Sequence, residues 1–141
     1  MVVLDTCVII SALRSKNGQS NKLLYNCLKG NIEYALTPLL FWEYIGKVEE
    51  KIDDKVLSIT KKSANIILKR LLEMATMIYQ PIVNRPILPD SSDDKILECG
   101  ISSNAKYIIT FNVEHFPKNI LSEYSMKVTL PKSFLKKEKI I

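Results

Sequence analysis

The run Val2-Val3-Leu4 closes on an acid, Asp5, and resumes as Thr6-Cys7-Val8-Ile9-Ile10. Three consecutive apolar residues leave no polar side to turn toward water, so the segment suits a strand of a sheet covered on both faces. Open sheets of that kind bind their ligands outside the carboxyl ends of the strands. A carboxylate at position 5 therefore stands where such a sheet does its chemistry.

The rest of the chain alternates in the same way. A short helix is expected over residues 8–13 and a loop over 15–19. Ser20 can cap a helix carrying Leu23, Leu24, Cys27 and Leu28, stopped by Gly30-Asn31. Residues 33–36 read as a short strand. Thr37-Pro38 then supplies an N-cap and a first-turn proline for a helix to about residue 51. Ala64, Ile67, Leu68, Leu71, Leu72 and Ala75 recur at helical spacing and mark the clearest amphipathic helix. Residues 77–83 read as a strand or as the frayed end of that helix, and Pro81, Pro86 and Pro89 as a loop. Ser91-Ser92-Asp93-Asp94 opens a helix to about residue 104, residues 107–111 form a second buried strand, and 128–130 an edge strand. Strands alternating with helices imply an α/β fold with a parallel sheet. The domain is expected over residues 1–131. Residues 132–141, with Lys132, Lys136, Lys137 and Lys139, are expected to form a basic and partly disordered tail that could touch an anionic ligand.

A chain of 141 residues suits one domain with a single core. No apolar run approaches the roughly 18–20 residues that a membrane helix needs. The N-terminus has no basic leader region, and Asp5 interrupts its apolar stretch, which argues against a signal peptide. Cys7, Cys27 and Cys99 are odd in number and widely spaced, as free thiols of a reducing compartment would be. A cytoplasmic protein is the expectation. The net charge of +5 favours an anionic partner.

Three further acidic positions stand at comparable places. Glu43 lies in Leu39-Leu40-Phe41-Trp42-Glu43-Tyr44-Ile45, where a carboxylate loses hydration unless a cation or donors compensate. A salt bridge to Lys47, at i+4, is the competing explanation. Asp93 and Asp94 fall in a first helical turn, where acids complement the macrodipole in any protein. The helical wheel does not separate them. Right-handed crossovers would bring this helix start to the rim where Asp5 ends its strand. Thr110, Asn112 and Glu114 follow the second buried strand on the same rim, Asn112 as a turn former and Glu114 and His115 as solvated loop residues. One histidine cannot supply a two-histidine acid–base mechanism. Hard carboxylates without a His or Cys ligand set select Mg²⁺ or Mn²⁺ over zinc. On a basic chain, acids converging at a sheet edge point to a metal-dependent nuclease.

The segments VLDTCVIISAL and PDSSDDKILECGISSNAKYIITFNVEHFP, with Glu43 between them, span residues 2–117. In order and spacing the chain resembles the PIN-domain ribonucleases, in particular the toxin components of bacterial and archaeal toxin–antitoxin modules. The resemblance implies a three-layer α/β/α sandwich around a central parallel sheet. It implies an endoribonuclease that hydrolyses RNA phosphodiesters at a carboxylate-bound Mg or Mn site. Asp5, Glu43 and Asp94 are then the catalytic acids and metal ligands. Asp94 is preferred to Asp93 because the family acid directly precedes the Lys-Ile-Leu-Glu-Cys-like run. Asp93 and Asn112 are further candidate ligands, and Thr6, Thr110 and Glu114 supporting residues. The chain departs from the family pattern at Asn112, where a fourth acid is expected, and at Cys7, where asparagine is common. The implied partners are an RNA substrate, a cognate antitoxin protein and a second copy in a homodimer.

Other folds also begin with a strand ending in an aspartate. Haloacid-dehalogenase-like phosphatases need a second aspartate two residues on, and Cys7 occupies that place. Phosphoreceiver domains need an aspartate closing a central strand near mid-chain, and residues 33–36 offer none. A catalytically silent PIN-like module that binds RNA or protein is the alternative from a different class, and the neutral Asn112 is the feature that favours it.

Overall fold

β1 (Val2–Leu4) is buried at every residue, as a strand covered on both faces must be. The computed structural model describes residues 1–82 and 87–140. Along the chain β1 is followed by α1 (Thr6–Arg14), α2 (Gln19–Leu28), β2 (Ala35–Leu36), α3 (Pro38–Asp53), α4 (Lys61–Met74) and β3 (Thr76–Met77). Then come α5 (Asp94–Ser103), β4 (Tyr107–Ile109), α6 (Lys118–Ser122), β5 (Lys127–Thr129) and α7 (Pro131–Lys137), with 3-10 turns at Ser91–Asp93 and Val113–His115.

β4 pairs in parallel with β1 on one side and β5 on the other, and β2 pairs in parallel with β3. The two groups are joined where Val2 N donates to Glu33 O at 3.0 Å and Val2 bridges Tyr34 in parallel. The strands therefore run in the order β3-β2-β1-β4-β5. The chain builds outward from β1 to β3, then returns to add β4 and β5 on the opposite side. Between β1 and β4 lies the switch point, where a parallel sheet opens a crevice at its carboxyl edge. Asp5 and Thr110 are the residues that follow these two strands.

Local chemistry explains the helices. Thr37 Oγ1 accepts from Leu40 N at 3.1 Å beside the first-turn Pro38, and Thr60 Oγ1 accepts from Ser63 N at 3.1 Å. Ala64, Leu68 and Leu71 form the buried stripe of α4. The cap of α2 is Gly18, not Ser20, which is buried within the first turn. Gly30, at φ 83°, reverses the chain after that helix, a conformation that glycine adopts without Cβ strain. Residues 76–77 are a strand and not a frayed helix end. Val83 and Pro86 lie outside the described residues.

The C-terminal segment corrects the expectation of a partly disordered tail. Residues 131–137 are helical, and Phe134 and Leu135 are buried in the core. Phe134 meets the Tyr107 ring edge-on at 5.6 Å, and Lys137 Nζ stands 5.0 Å from the same ring. Met1, Lys106, Tyr107, Phe134 and Glu138 line a common cleft at the amino ends of β1 and β4. Lys137 therefore stands by the edge of the sheet opposite Asp5.

Because Phe134 buries a whole aromatic side chain, Phe134→Ala is expected to cost about 3–5 kcal/mol of unfolding free energy. Urea denaturation followed by far-UV circular dichroism measures it. A loss below about 1 kcal/mol, the size of an ordinary surface change, would detach α7 from the core.

Candidate active site

Asp5 is the N-cap of α1, and its backbone N–H donates to Ile109 O at 3.0 Å across the switch point. Its Oδ2 accepts from Thr110 Oγ1 at 2.7 Å. Thr110 is fully buried, and its oxygen also accepts from Asn112 N at 3.0 Å. A hydroxyl has one proton to give, and here it goes to the carboxylate.

Glu43 arrives from α3. The Tyr44 hydroxyl donates to the Leu4 carbonyl, which seats α3 on the end of β1, and burial holds that phenol far above its usual pKa. Glu43 Oε2 accepts from Thr6 Oγ1, and Glu43 Oε1 accepts from Lys95 Nζ at 2.9 Å. Lys95 also donates to Ser92 O at 2.7 Å. The pairing of Glu43 with Lys47 does not form, because Lys47 turns to Glu50 at 3.2 Å.

The two aspartates that the wheel left together are separated in space. Asp94 is fully buried and is taken up by backbone: its Oδ1 accepts from Leu88 N at 2.9 Å, and Ile87 N lies 3.3 Å from Oδ2. Asp93 ends the 3-10 turn as N-cap of α5, and it lines the cleft. The structure thus brings Asp93 to Asp5 and Glu43, one residue before the position that the resemblance implied. The reason is local: the turn leaves Asp93 at the mouth of the helix and commits Asp94 to the loop before it.

The cleft has a volume of about 290 Å³ and joins Asp5, Glu43 and Asp93 with Thr6, Cys7 and Ser92. Ile10 and Ile96 supply apolar wall, and Lys47 and Lys51 supply positive charge. Asn112 and Glu114 do not line it. Asn112 directs its amide toward Cys7 Sγ at 4.0 Å, and Glu114 is exposed. The Asp93 carboxyl titrates above the usual carboxylate range, chiefly from burial and then from the nearby Asp5 charge, with His115 opposing both. Burial, and then Asp5, also push the Cys7 thiol up, so it stays protonated and is no nucleophile. Cys27 and Cys99 are free, buried and pushed up to about 12.

This donor set fits a hard divalent cation. Every acidic donor in the cleft is a carboxylate oxygen, and no Cys thiolate competes. Asp93 Oδ2 is closed to solvent and faces His115 Nδ1 at 3.0 Å. Sequence reasoning missed Lys95, Asp90 and His115. Asp90 accepts from Ser92 N at 3.0 Å and Ser92 Oγ at 2.8 Å, and His115 Nδ1 lies 3.0 Å from Asp93 Oδ2. Only the three-dimensional closure of the loop at 87–93 onto the Val113–His115 turn brings them together.

A family model described as PIN domain matches residues 1–114. The chain belongs to the PIN-domain family. No curated protein matches it. PIN domains are generally metal-dependent nucleases, and the helices, parallel sheet and acidic cleft of this chain agree with that family. No helix among the described residues is long and apolar enough to cross a membrane.

The two aspartates are expected to differ in what their loss does. Asp94→Asn should cost about 1–3 kcal/mol, because it weakens buried charge-assisted bonds to backbone N–H groups. Asp93→Asn should leave stability unchanged or higher at neutral pH without divalent metal. Since the folded pKa of Asp93 is raised, ionising it opposes folding, and this penalty vanishes as pH falls through that raised value. Wild type should therefore catch up with Asp93→Asn on acidification. Urea midpoints with EDTA at neutral and mildly acid pH test this; Asp93→Asn proving less stable than Asp94→Asn would reverse the two roles.

Proposed function

We propose that this PIN domain is a Mg²⁺- or Mn²⁺-dependent endoribonuclease, the toxin of a toxin–antitoxin pair, hydrolysing RNA phosphodiesters in the cleft at the carboxyl edge of its sheet. The observation that carries this is the meeting of Asp5, Glu43 and Asp93 beside Lys47 and Lys51 in one cleft. Asp5, Glu43 and Asp93 would hold the cation. Asp94, implied by sequence resemblance, contributes instead by fixing the loop that presents Asp93. A cation bound there supplies a lowered pKa for attacking water and shields charge developing on the phosphoryl oxygens.

The chain's own residues do the remaining work. Thr110 fixes Asp5, and Thr6 fixes Glu43, so neither carboxylate must be ordered when a ligand arrives. Lys47 and Lys51 attract the phosphate backbone to an otherwise acidic cleft. Lys95 neutralises Glu43 until a divalent ion competes for it. That contact, with the neutral Asn112, is what favours the alternative of a silent RNA- or protein-binding module. The antitoxin partner and a homodimer follow from the toxin reading alone, as does an intracellular site of action.

Single-stranded RNA cleavage in Mn²⁺, abolished by EDTA, separates the two readings. Asp5→Asn and Glu43→Gln are expected to lower the rate at least about a hundredfold with the fold retained. Lys95→Met should tighten Mn²⁺ binding, because it removes the competitor for Glu43. Wild-type cleavage by folded Asp5→Asn would sink the assignment, and EDTA-insensitive cleavage would sink the metal.

A further inference from the structure

β5 is the last strand on its side of the sheet, and among the described strands it pairs with β4 alone. Lys127 N donates to Lys106 O at 2.8 Å, and Thr129 O accepts from Thr110 N at 3.0 Å. Both bonds point at β4. Successive residues of a parallel strand bond on opposite sides, so Val128, between these two, turns its N–H and C=O outward. An edge left open in this way is a template for one more strand.

Two hollows lie along that edge. One, of about 660 Å³, has Leu121, Met126 and Val128 as its apolar wall. The other, of about 480 Å³, is walled by Phe116, Val128 and Leu130, with Glu114 at its rim. They share Lys118 and Val128, and so follow one another from the start of β5 to the residue just past its end. Lys118 and Lys127 stand exposed at the first hollow, which no acid lines. Among the described residues neither lysine makes an ion pair.

We propose that the outer edge of β5 takes a strand from a partner protein, an extended segment of acidic and apolar residues. Val128 exchanges backbone hydrogen bonds with it, the hollows receive its apolar side chains, and Lys118 and Lys127 meet its acids. A lysine on an edge strand ordinarily deters pairing with other edges. For an acidic segment it becomes a contact. Charge also decides between occupants: a two-fold pairing with a second copy would set the same lysines against themselves. RNA would use the lysines but leave the apolar hollows and the outward C=O without a role. The inference does not depend on the nuclease reading, since no acid of the cleft takes part.

The test uses the isotope-labelled full chain, its amide signals followed by NMR, and a short capped peptide alternating glutamate and valine. The peptide is expected to shift the Val128 and Leu130 signals and to slow hydrogen exchange at Val128. A lysine–valine peptide, and a glutamate–valine peptide methylated on its backbone nitrogens, should do neither. Val128→Pro removes only an outward N–H, so it should fold and weaken binding at least about tenfold. Lys118→Glu/Lys127→Glu should weaken it as much, and stands in if Val128→Pro does not fold. Absence of binding by the acidic peptide, equal binding by the lysine–valine peptide, or undiminished binding by the folded variants would overturn the proposal. Signals at Val128 that move with protein concentration alone would give the edge to a second copy. Single-stranded RNA shifting the same amides would give it to nucleic acid, and either result overturns the peptide.

Discussion

The hydrogen bond from Thr110 to Asp5 is the constraint around which the rest of the cleft is arranged. It joins the residues that follow β1 and β4, and so ties the chemistry to the point where the sheet reverses its order of growth. The backbone bond from Asp5 N to Ile109 O fixes the same junction a second time. A carboxylate held by two neighbouring strands cannot swing away from another negative charge. Its repulsion with Asp93 is therefore stored in the folded state, where it contributes to the raised titration of Asp93.

At the proposed metal site, a cation would relieve first the burial of the Asp93 carboxylate and then its repulsion with Asp5. Glu43 is balanced by Lys95 and Thr6, whereas Asp93 faces a single half-exposed histidine. Asp94 is the contrast within the same turn. Its backbone donors satisfy it from within, so it stabilises the loop and has little to offer a ligand. Two adjacent aspartates thus divide the labour, one holding the scaffold and one left available for chemistry.

The frame was legible because local signals agreed with one another. The continuous apolar run ending at Asp5, the Thr37-Pro38 helix start and the stripe of α4 each reappear in the structure. What could not be read depended on how loops fold back. A 3-10 turn, not a regular helix, precedes α5 and decides between Asp93 and Asp94, and no wheel contains it. Lys95 reaches Glu43 across fifty-two positions, and His115 reaches Asp93 from another loop, so neither contact has a sequence signature. The C-terminal segment misled in the opposite sense. Its lysines suggested a solvated tail, but Pro131, Phe134 and Leu135, spaced i, i+3, i+4, form one buried face and outweigh them.

The position of α7 changes how the basic character of the chain is to be understood. Lys137, over the Tyr107 ring, stands at the amino ends of the strands, at the edge of the sheet opposite the acids. Lys47 and Lys51, one helical turn apart on α3 and downstream of Glu43 on the same helix, bring positive charge to the wall of the acidic cleft. One helix thus carries both an acid of the cleft and two of its lysines. Their spacing is fixed by the 5.4 Å helical pitch, so Lys47 stands at a set distance from Glu43. In the proposed nuclease, the rigidity of α3 would decide which bond faces the acids.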